Sequence, residues 1–361
     1  MRVAQIAPCH ESIPPKAYGG IERVVAYLTR DLQAMGHDVT VFASGDSRIE
    51  APLVPITETS VRASGGPRDP NALHVLAVEK SVDLAHAFDI LHFHLEWVHL
   101  PVLRRCPWIR HVTTIHGPLD RPDLRSLYDE FDEAPLVSIS NSQRRPCPDC
   151  NWVGNVYNGI PAPARFSAEP GNYLVFLGRF SPEKGFEDAV EIARRSGWPL
   201  KVAAKVDDAH PDYYEEVVRP LLQDPLVECL GEADEEQKFD LLRGARALVF
   251  PICWQEPFGL VMTEAMSVGT PVIAYPEGSV PEIVRPGHTG FVVRGVDEAA
   301  AAVARVREID RRECRREFEE RFSARAMTES YLEVYRRLLQ PQARSVRRAS
   351  QLQLVRNRSL A

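Results

Sequence analysis

Arg2-Val3-Ala4-Gln5-Ile6-Ala7-Pro8, Ile21-Glu22-Arg23-Val24-Val25-Ala26-Tyr27-Leu28 and Asp38-Val39-Thr40-Val41-Phe42-Ala43 stand in succession at the head of the chain. The first and third segments are apolar runs of strand length. The second places Ile21, Val24, Val25 and Leu28 at helical spacing and runs on to Gly36, which can close a helix because it accepts a left-handed backbone. Strand, crossover helix and strand in that order build a parallel sheet. The same alternation continues with strands expected at Asp89–His94, His111–His116 and Leu136–Ser140.

Between Gly159 and Gly171 the composition shifts to Pro, Ala and Gly without periodicity, which reads as a linker. A second alternating series follows it, with strands expected at Tyr173–Gly178, Leu200–Val206, Val227–Leu230, Ala247–Pro251 and Pro271–Ala274. The fold class is therefore α/β, in two Rossmann-like domains. Residues 1–165 are assigned to the first domain and 166–322 to the second. Helices are expected over 298–309 and 311–322, and Ser323 has the chemistry of an N-cap for a last helix ending near Leu339. That helix, 323–340, is expected to pack back on the first domain. The segment 341–361 has five arginines and no acidic residue, and too little periodic apolar surface to fold alone. Contact with an anionic membrane surface and a solubilising end both remain open for it.

The 361 residues are enough for two cores, and 44% hydrophobic with 26% charged residues fits a globular protein. A net charge of -7 argues against a general nucleic-acid binder, which needs a basic surface to neutralise phosphates. No apolar run approaches membrane-span length, and Met1–Pro8 is too short and too soon broken for a signal peptide, so a cytoplasmic location is expected. Seven scattered cysteines fit reduced thiols better than a disulfide framework. Only Cys147-Pro148-Asp149-Cys150 has ligand-like spacing, and it lacks a matching second pair, so a surface turn is expected there. His92, His94 and His99 are read as core or strand-end residues.

The stretch richest in chemistry is Glu256-Pro257-Phe258-Gly259-Leu260-Val261-Met262-Thr263-Glu264-Ala265-Met266. Its two glutamates flank the start of a helix, the first in the turn before it and the second in its second turn. Unpaired amides and the positive end of the dipole at such a terminus attract a diphosphate, and Gly259 leaves room for close approach.

This element resembles the Glu-seven-residues-Glu signature of the retaining glycosyltransferases of family 4, which have the GT-B fold. The similarity extends to Gly178-Arg179-Phe180-Ser181-Pro182-Glu183-Lys184-Gly185, to the loop Gly278-Ser279-Val280-Pro281-Glu282-Ile283-Val284 and to His288-Thr289-Gly290-Phe291-Val292, which resembles the family's strand after that loop. In the first half, Tyr18-Gly19-Gly20-Ile21-Glu22 and Asn158-Gly159-Ile160 are similar to family elements as well. The resemblance implies two parallel sheets facing each other across a cleft that binds a nucleotide sugar. Arg179 and Lys184 would neutralise the leaving diphosphate. Glu256 would contact the donor sugar near the reacting carbon, and Glu264 would accept hydrogen bonds from the ribose. Phe258, Gly259, Leu260 and Val261 would complete the donor site. From the other domain, the amides of Gly19 and Gly20 would face phosphate or acceptor, and His116 would hydrogen-bond the donor sugar.

The function expected is transfer of a hexose from a nucleoside-diphosphate sugar, with UDP-glucose taken as the donor because it is common. The acceptor is a saccharide, a lipid or a small molecule. No cofactor is expected. The chain has no Asp-x-Asp triplet, and its cations and helix amides supply the charge balance, so no metal is expected either. The acidic clusters Asp207-Asp208 and Asp234-Glu235-Glu236 read as solvated loop and helix-start residues. Two other readings share the fold: a nucleotide-sugar 2-epimerase, whose relatives lack the Glu256-to-Glu264 element, and a non-catalytic nucleotide-binding module, which would lose a charged donor residue. A nicotinamide oxidoreductase is set aside, since Pro8-Cys9-His10-Glu11 stands where Gly-x-Gly-x-x-Gly would follow the first strand.

Overall fold

The computed structural model describes residues 1–16, 19–65, 69–207 and 209–340. Tyr18, Asp208 and the arginine-bearing segment 341–361 lie outside the described residues. Two parallel sheets are formed. The first has seven strands: β1 (Arg2–Ile6), β2 (Asp38–Ala43), β3 (Leu53–Pro55), β4 (Ile90–Phe93), β5 (His111–Thr114), β6 (Leu136–Ser138) and β7 (Trp152–Asn155), in the order β3-β2-β1-β4-β5-β6-β7. The second has six: β8 (Leu174–Phe180), β9 (Leu200–Val206), β10 (Val227–Cys229), β11 (Ala247–Phe250), β12 (Val272–Ala274) and β13 (Gly290–Val292), in the order β10-β9-β8-β11-β12-β13.

In each sheet the order reverses beside its first strand, since β1 lies between β2 and β4, and β8 between β9 and β11. Loops leaving the strands there part in opposite directions and open a crevice at their carboxyl ends. Gly19 and Gly20 follow β1, and Arg179 stands at the end of β8.

Central strands such as β1 and β11 are near-continuous apolar runs because both of their faces are covered. Val3, Ala4 and Ile6 of β1 are fully buried. The first helix, Gly20–Ala34, buries Val24, Val25, Leu28 and Leu32, and Gly36 follows it with φ of 82°. The last helix, Ala324–Leu339, is capped by Ser323, whose Oγ accepts from the Ala326 amide at 3.2 Å. It begins beside the second sheet, yet its Met327, Tyr331 and Tyr335 pack with Val3 and Ile90 of the first sheet and with Val24 of the first helix. The chain thus crosses between the two sheets twice. The crossings touch: Ile160 N donates to Phe322 O at 3.1 Å and Ala324 N to Ile160 O at 2.7 Å.

Two strands differ from the sequence reading, which gave no strand at β3 or β7. Both lie at sheet edges and are short, and their residues are at most half-buried, so they carry little of the apolar signal that marks a strand. The helix expected over 298–309 is an α-helix over Val296–Arg305 followed by a 3-10 turn, Val306–Glu308. Among the described residues no helix is long and apolar enough to cross a membrane.

Candidate active site

One wall of the crevice is built by the second sheet. β8 delivers Arg179, the turn Pro182–Lys184 delivers Lys184, and the segment after β11 carries Glu256 into the short helix Leu260–Ser267. Lys184 Nζ lies 2.7 Å from Glu256 Oε2, and both side chains are mostly buried. The Trp254 indole N–H donates to the same oxygen at 3.1 Å, and Lys184 Nζ sits 5.0 Å from the centre of that indole ring. The ion pair is therefore fixed in direction by a ring and a hydrogen bond, which low mobility and partial desolvation strengthen. Arg179 Nη1 donates to Asp207 Oδ2 at 2.9 Å, with Glu183 Oε1 3.6 Å from Nη2.

Two glycines hold the backbone that carries Glu256. Gly259 is left-handed, with φ of 77°, and a Cβ there would meet Met262 Cε at 2.8 Å. Gly278, at φ of 55°, lies so close to Glu256 that a Cβ would stand 2.3 Å from its carbonyl oxygen. A side chain at Gly278 would displace the glutamate, and one at Gly259 would strain the left-handed turn that leads into the helix. The Ser279 amide donates to that carbonyl at 3.0 Å, so the Gly278–Glu282 stretch braces the first glutamate of the pair.

Glu264, the second glutamate, is 4% exposed and paired twice: Oε1 accepts from Lys238 Nζ at 2.6 Å and from Arg23 Nη1 at 2.7 Å. Burial alone would raise its pKa, but the charges of Lys238 and Arg23 overcome burial and hold the carboxyl at about 2. Arg23 belongs to the first helix of the other domain, so this bond spans the crevice. Tyr27 of the same helix reaches Glu235 at 3.1 Å. On the far side, Glu282 takes hydrogen bonds from the Asn141 amide at 2.8 Å and the Tyr157 hydroxyl at 3.1 Å.

The opposite wall comes from the first sheet. His116 follows β5, and its Nε2 lies 2.9 Å from Nδ1 of His94. His94 Nε2 in turn meets Gln5 Oε1 at 2.8 Å. Gln5 Nε2 donates to the Tyr335 hydroxyl at 3.2 Å, and that hydroxyl lies 2.7 Å from His92 Nδ1. His92 Nε2 meets Thr114 Oγ1 at 2.7 Å, which lies 2.9 Å from the Tyr331 hydroxyl. Burial lowers the pKa of His92 and His94 well below the ordinary histidine value and that of His116 to about 3, so all three rings are neutral at pH 7. Glu96, a non-glycine residue at φ of 56°, accepts from the amides of His116 at 3.2 Å and Gly117 at 3.0 Å and so fixes the loop that carries the imidazole.

Between the walls lies a cavity of about 440 Å³. Gly19, Gly20, His116, Arg179, Lys184, Glu256, Phe258, Gly259, Leu260, Val261 and Glu264 all line it, so the geometry brings together every site residue read from the sequence. Arg23, Lys238, Trp254 and Asn158 line it too and were not singled out. Arg23 had one visible signal, its place in the first turn of the helix that starts at Gly20. Lys238 had none. His92 of β4 and His94, the residue after it, stand side by side with rings 4.1 Å apart, and His99 stacks on Phe93 in the core. Cys147 is buried rather than in a surface turn, while Cys150 is half-buried. Among the described residues no group of three or more His, Cys, Asp or Glu side chains is placed to hold a metal ion.

Residues 18–145 match the family model described as Glycosyltransferase Family 4, and residues 163–328 match that described as Glycosyl transferases group 1. A D-inositol 3-phosphate glycosyltransferase of Streptomyces scabiei is 37% identical in an alignment of 189 positions that covers 43% of this chain and 40% of that protein. The aligned stretch thus spans less than half of that relative. Among solved structures, a glycosyltransferase involved in avilamycin A biosynthesis superposes with a TM-score of 0.70 at 26% identity, over 94% of this chain and 98% of the other. An Anabaena protein crystallised with UDP-glucose has the same fold, with a TM-score of 0.69 at 18% identity, over 93% of this chain and 100% of that one.

Proposed function

The chain belongs to the family 4, group 1 glycosyltransferases and has their GT-B fold, and from that premise we propose that it transfers a hexose from a nucleoside-diphosphate sugar to a hydroxyl acceptor, with retention at the anomeric carbon and without a metal ion. One observation carries the reading: two glutamates, two cations and the amino end of a helix converge on a single cavity between two parallel sheets. UDP-glucose is the proposed donor, supported by its presence in the Anabaena protein of the same fold.

The chemistry follows from charge. When the bond from the anomeric carbon to the diphosphate breaks, negative charge grows on the leaving oxygens and positive charge on the sugar ring. Arg179, Lys184 and the first amides of the helix Leu260–Ser267 border the cavity on one wall, where fixed cations and dipoles stabilise the growing anion without reorganisation. Lys184 holds Glu256 by an ion pair, so that carboxylate orients sugar hydroxyls and faces the cationic ring. Glu264, ionised at neutral pH, offers its oxygens to the ribose. His116 on the other wall offers a neutral ring nitrogen to the sugar. Retention is supported by the likeness of the two-glutamate element to the retaining family.

The test is a thermal-shift panel of nucleoside diphosphates followed by transfer from the matching nucleotide sugar, with the anomeric proton of the product read by NMR. A bound nucleotide raises the melting temperature by mass action. The proposal expects a UDP-dependent rise and an α product from an α donor. If no nucleoside diphosphate shifts the transition, or the product is β, the reading is overturned.

A further inference from the structure

His116 and six polar groups behind it form one unbranched hydrogen-bonded chain: His116, His94, Gln5, Tyr335, His92, Thr114 and Tyr331. It links the lip of the cavity to the last helix. Five of the seven side chains, those of Gln5, His92, Thr114, Tyr331 and Tyr335, show no solvent exposure, so water does not supply or remove hydrogens along it. In such a chain each contact needs one hydrogen, so the direction of one bond fixes the direction of all the others.

From this geometry we infer that Gln5 is a positioning residue that sets the tautomer of His116, leaving Nδ1 as a hydrogen-bond acceptor for a hydroxyl of the bound sugar. The inference rests on the glycosyltransferase reading for the identity of that hydroxyl, and on the hydrogen bonds alone for the tautomer.

Gln5 Oε1 has no hydrogen, so the atom it meets, His94 Nε2, is the N–H of that neutral ring. His94 Nδ1 is then bare. The nitrogen 2.9 Å from it, His116 Nε2, must supply the hydrogen, since two bare nitrogens cannot share a contact. A neutral His116 protonated on Nε2 carries a lone pair on Nδ1, and that atom has no protein partner among the described residues while the ring lines the cavity. In the other direction the chain is equally complete. Gln5 Nε2 donates to Tyr335, whose hydroxyl donates to His92 Nδ1, and His92 Nε2 donates to Thr114 Oγ1. Turning the Gln5 amide over would reverse every bond and put a hydrogen on His116 Nδ1, converting an acceptor into a donor. A sugar hydroxyl can donate to the first and must accept from the second, so one amide on β1 decides how the sugar hydroxyl is turned. Tyr335 of the last helix holds that amide, which ties the ring's chemistry to a segment more than two hundred residues away.

The experiment is histidine side-chain nitrogen NMR on the full chain without ligand at pH 7.5. His116 and His94 are each expected to show a protonated Nε2 and a bare Nδ1. A protonated Nδ1 on His116 overturns the assignment. Gln5→Met, similar in shape but unable to direct the chain, is then compared. The His116 signals should move to an average of both tautomers, while those of His99, which bonds Thr113 outside the chain, stay fixed and report an intact fold. Turnover should fall by about tenfold with the KM for the donor little changed, as for loss of an oriented contact in the transition state. If Gln5→Met keeps both the single tautomer and the wild-type rate, Gln5 has no positioning role. If the tautomer is as stated but no nucleotide sugar is turned over, the tautomer stands and the transferase reading falls.

Discussion

Arg23 of the first helix and Glu264 of the second domain meet across the crevice, 2.7 Å apart and largely shielded from water. The carboxylate proposed to hold the donor ribose is thus already held by the opposite wall. Removing Arg23 leaves Glu264 paired with Lys238 alone. Arg23→Ala is expected to lower stability by about 1–3 kcal/mol, less than the loss of a buried ion's sole partner. Urea unfolding measures it, and a change within error would show that the bond contributes nothing. Glu264→Gln, by contrast, is expected to weaken nucleoside-diphosphate affinity by roughly tenfold, because it removes a charged acceptor from ground and transition states alike. Calorimetry giving an unchanged affinity would remove Glu264 from the donor site.

Arg179→Ala and Lys184→Ala are each expected to lower turnover by roughly a hundredfold, the usual effect of deleting one preorganised charge stabiliser. Lys184→Ala also leaves the Glu256 carboxylate with only the Trp254 N–H as a hydrogen-bond partner among the described residues, so it should impair the sugar contact as well as the diphosphate and be the more damaging of the two. A folded variant of either kind that retained near-normal kcat would rule out the diphosphate role.

Acid should destabilise the protein from an unusually high pH. Burial lowers the pKa of His92, His94 and His99 well below the ordinary value, that of His111 to about 4 and that of His116 to about 3. In the unfolded chain these rings titrate near 6.5, so below that pH the unfolded state binds protons the folded state refuses. Their contribution is complete above about pH 6.5 and declines as pH falls toward 4, at most on the order of 1.4 kcal/mol per histidine per pH unit. Glu264, held at about 2, loses its contribution only below the ordinary carboxylate range. Urea midpoints should therefore fall between pH 7.5 and pH 5. A flat profile over that window would mean that these rings are not held neutral.

Transfer is expected to persist in excess EDTA, since Arg179, Lys184 and the helix amides balance the charge of the leaving group in the proposed mechanism. The assay measures transfer with a matched donor and acceptor after chelation and again after Mn²⁺ is added. A rate that vanishes with EDTA and returns with Mn²⁺ would refute this charge balance.

Both sheets could be read from the sequence where a strand is buried on both faces, as in β1 or β11, since an apolar run bounded by turns is a local property. The edge strands β3 and β7 gave no such signal, because solvent on one side lifts the demand for apolar residues. Site residues divide in the same way. Glu256 and Glu264 stand out because one helix terminus sets their spacing, and Arg179 and Lys184 because one strand end does. Arg23 and Lys238 act only through a glutamate that chain folding brings to them. Gln5 looks like an ordinary strand residue until Tyr335 and His94 close on it.

The chain passes between its two domains twice, and Ile160 in one passage is hydrogen-bonded to Phe322 and Ala324 in the other. A single strand of chain would let two bodies swivel freely, whereas a pair tied side by side resists torsion and leaves bending about one axis as the soft motion. Bending about that axis would narrow or widen the crevice as a whole. Every distance across it changes together: Arg23 to Glu264, Tyr27 to Glu235, and His116 to the cations on the facing wall. Opening would break the Arg23–Glu264 and Tyr27–Glu235 bonds together and draw His116 from the facing cations, so in the proposed reaction letting go of the nucleoside and of the sugar would be a single mechanical event.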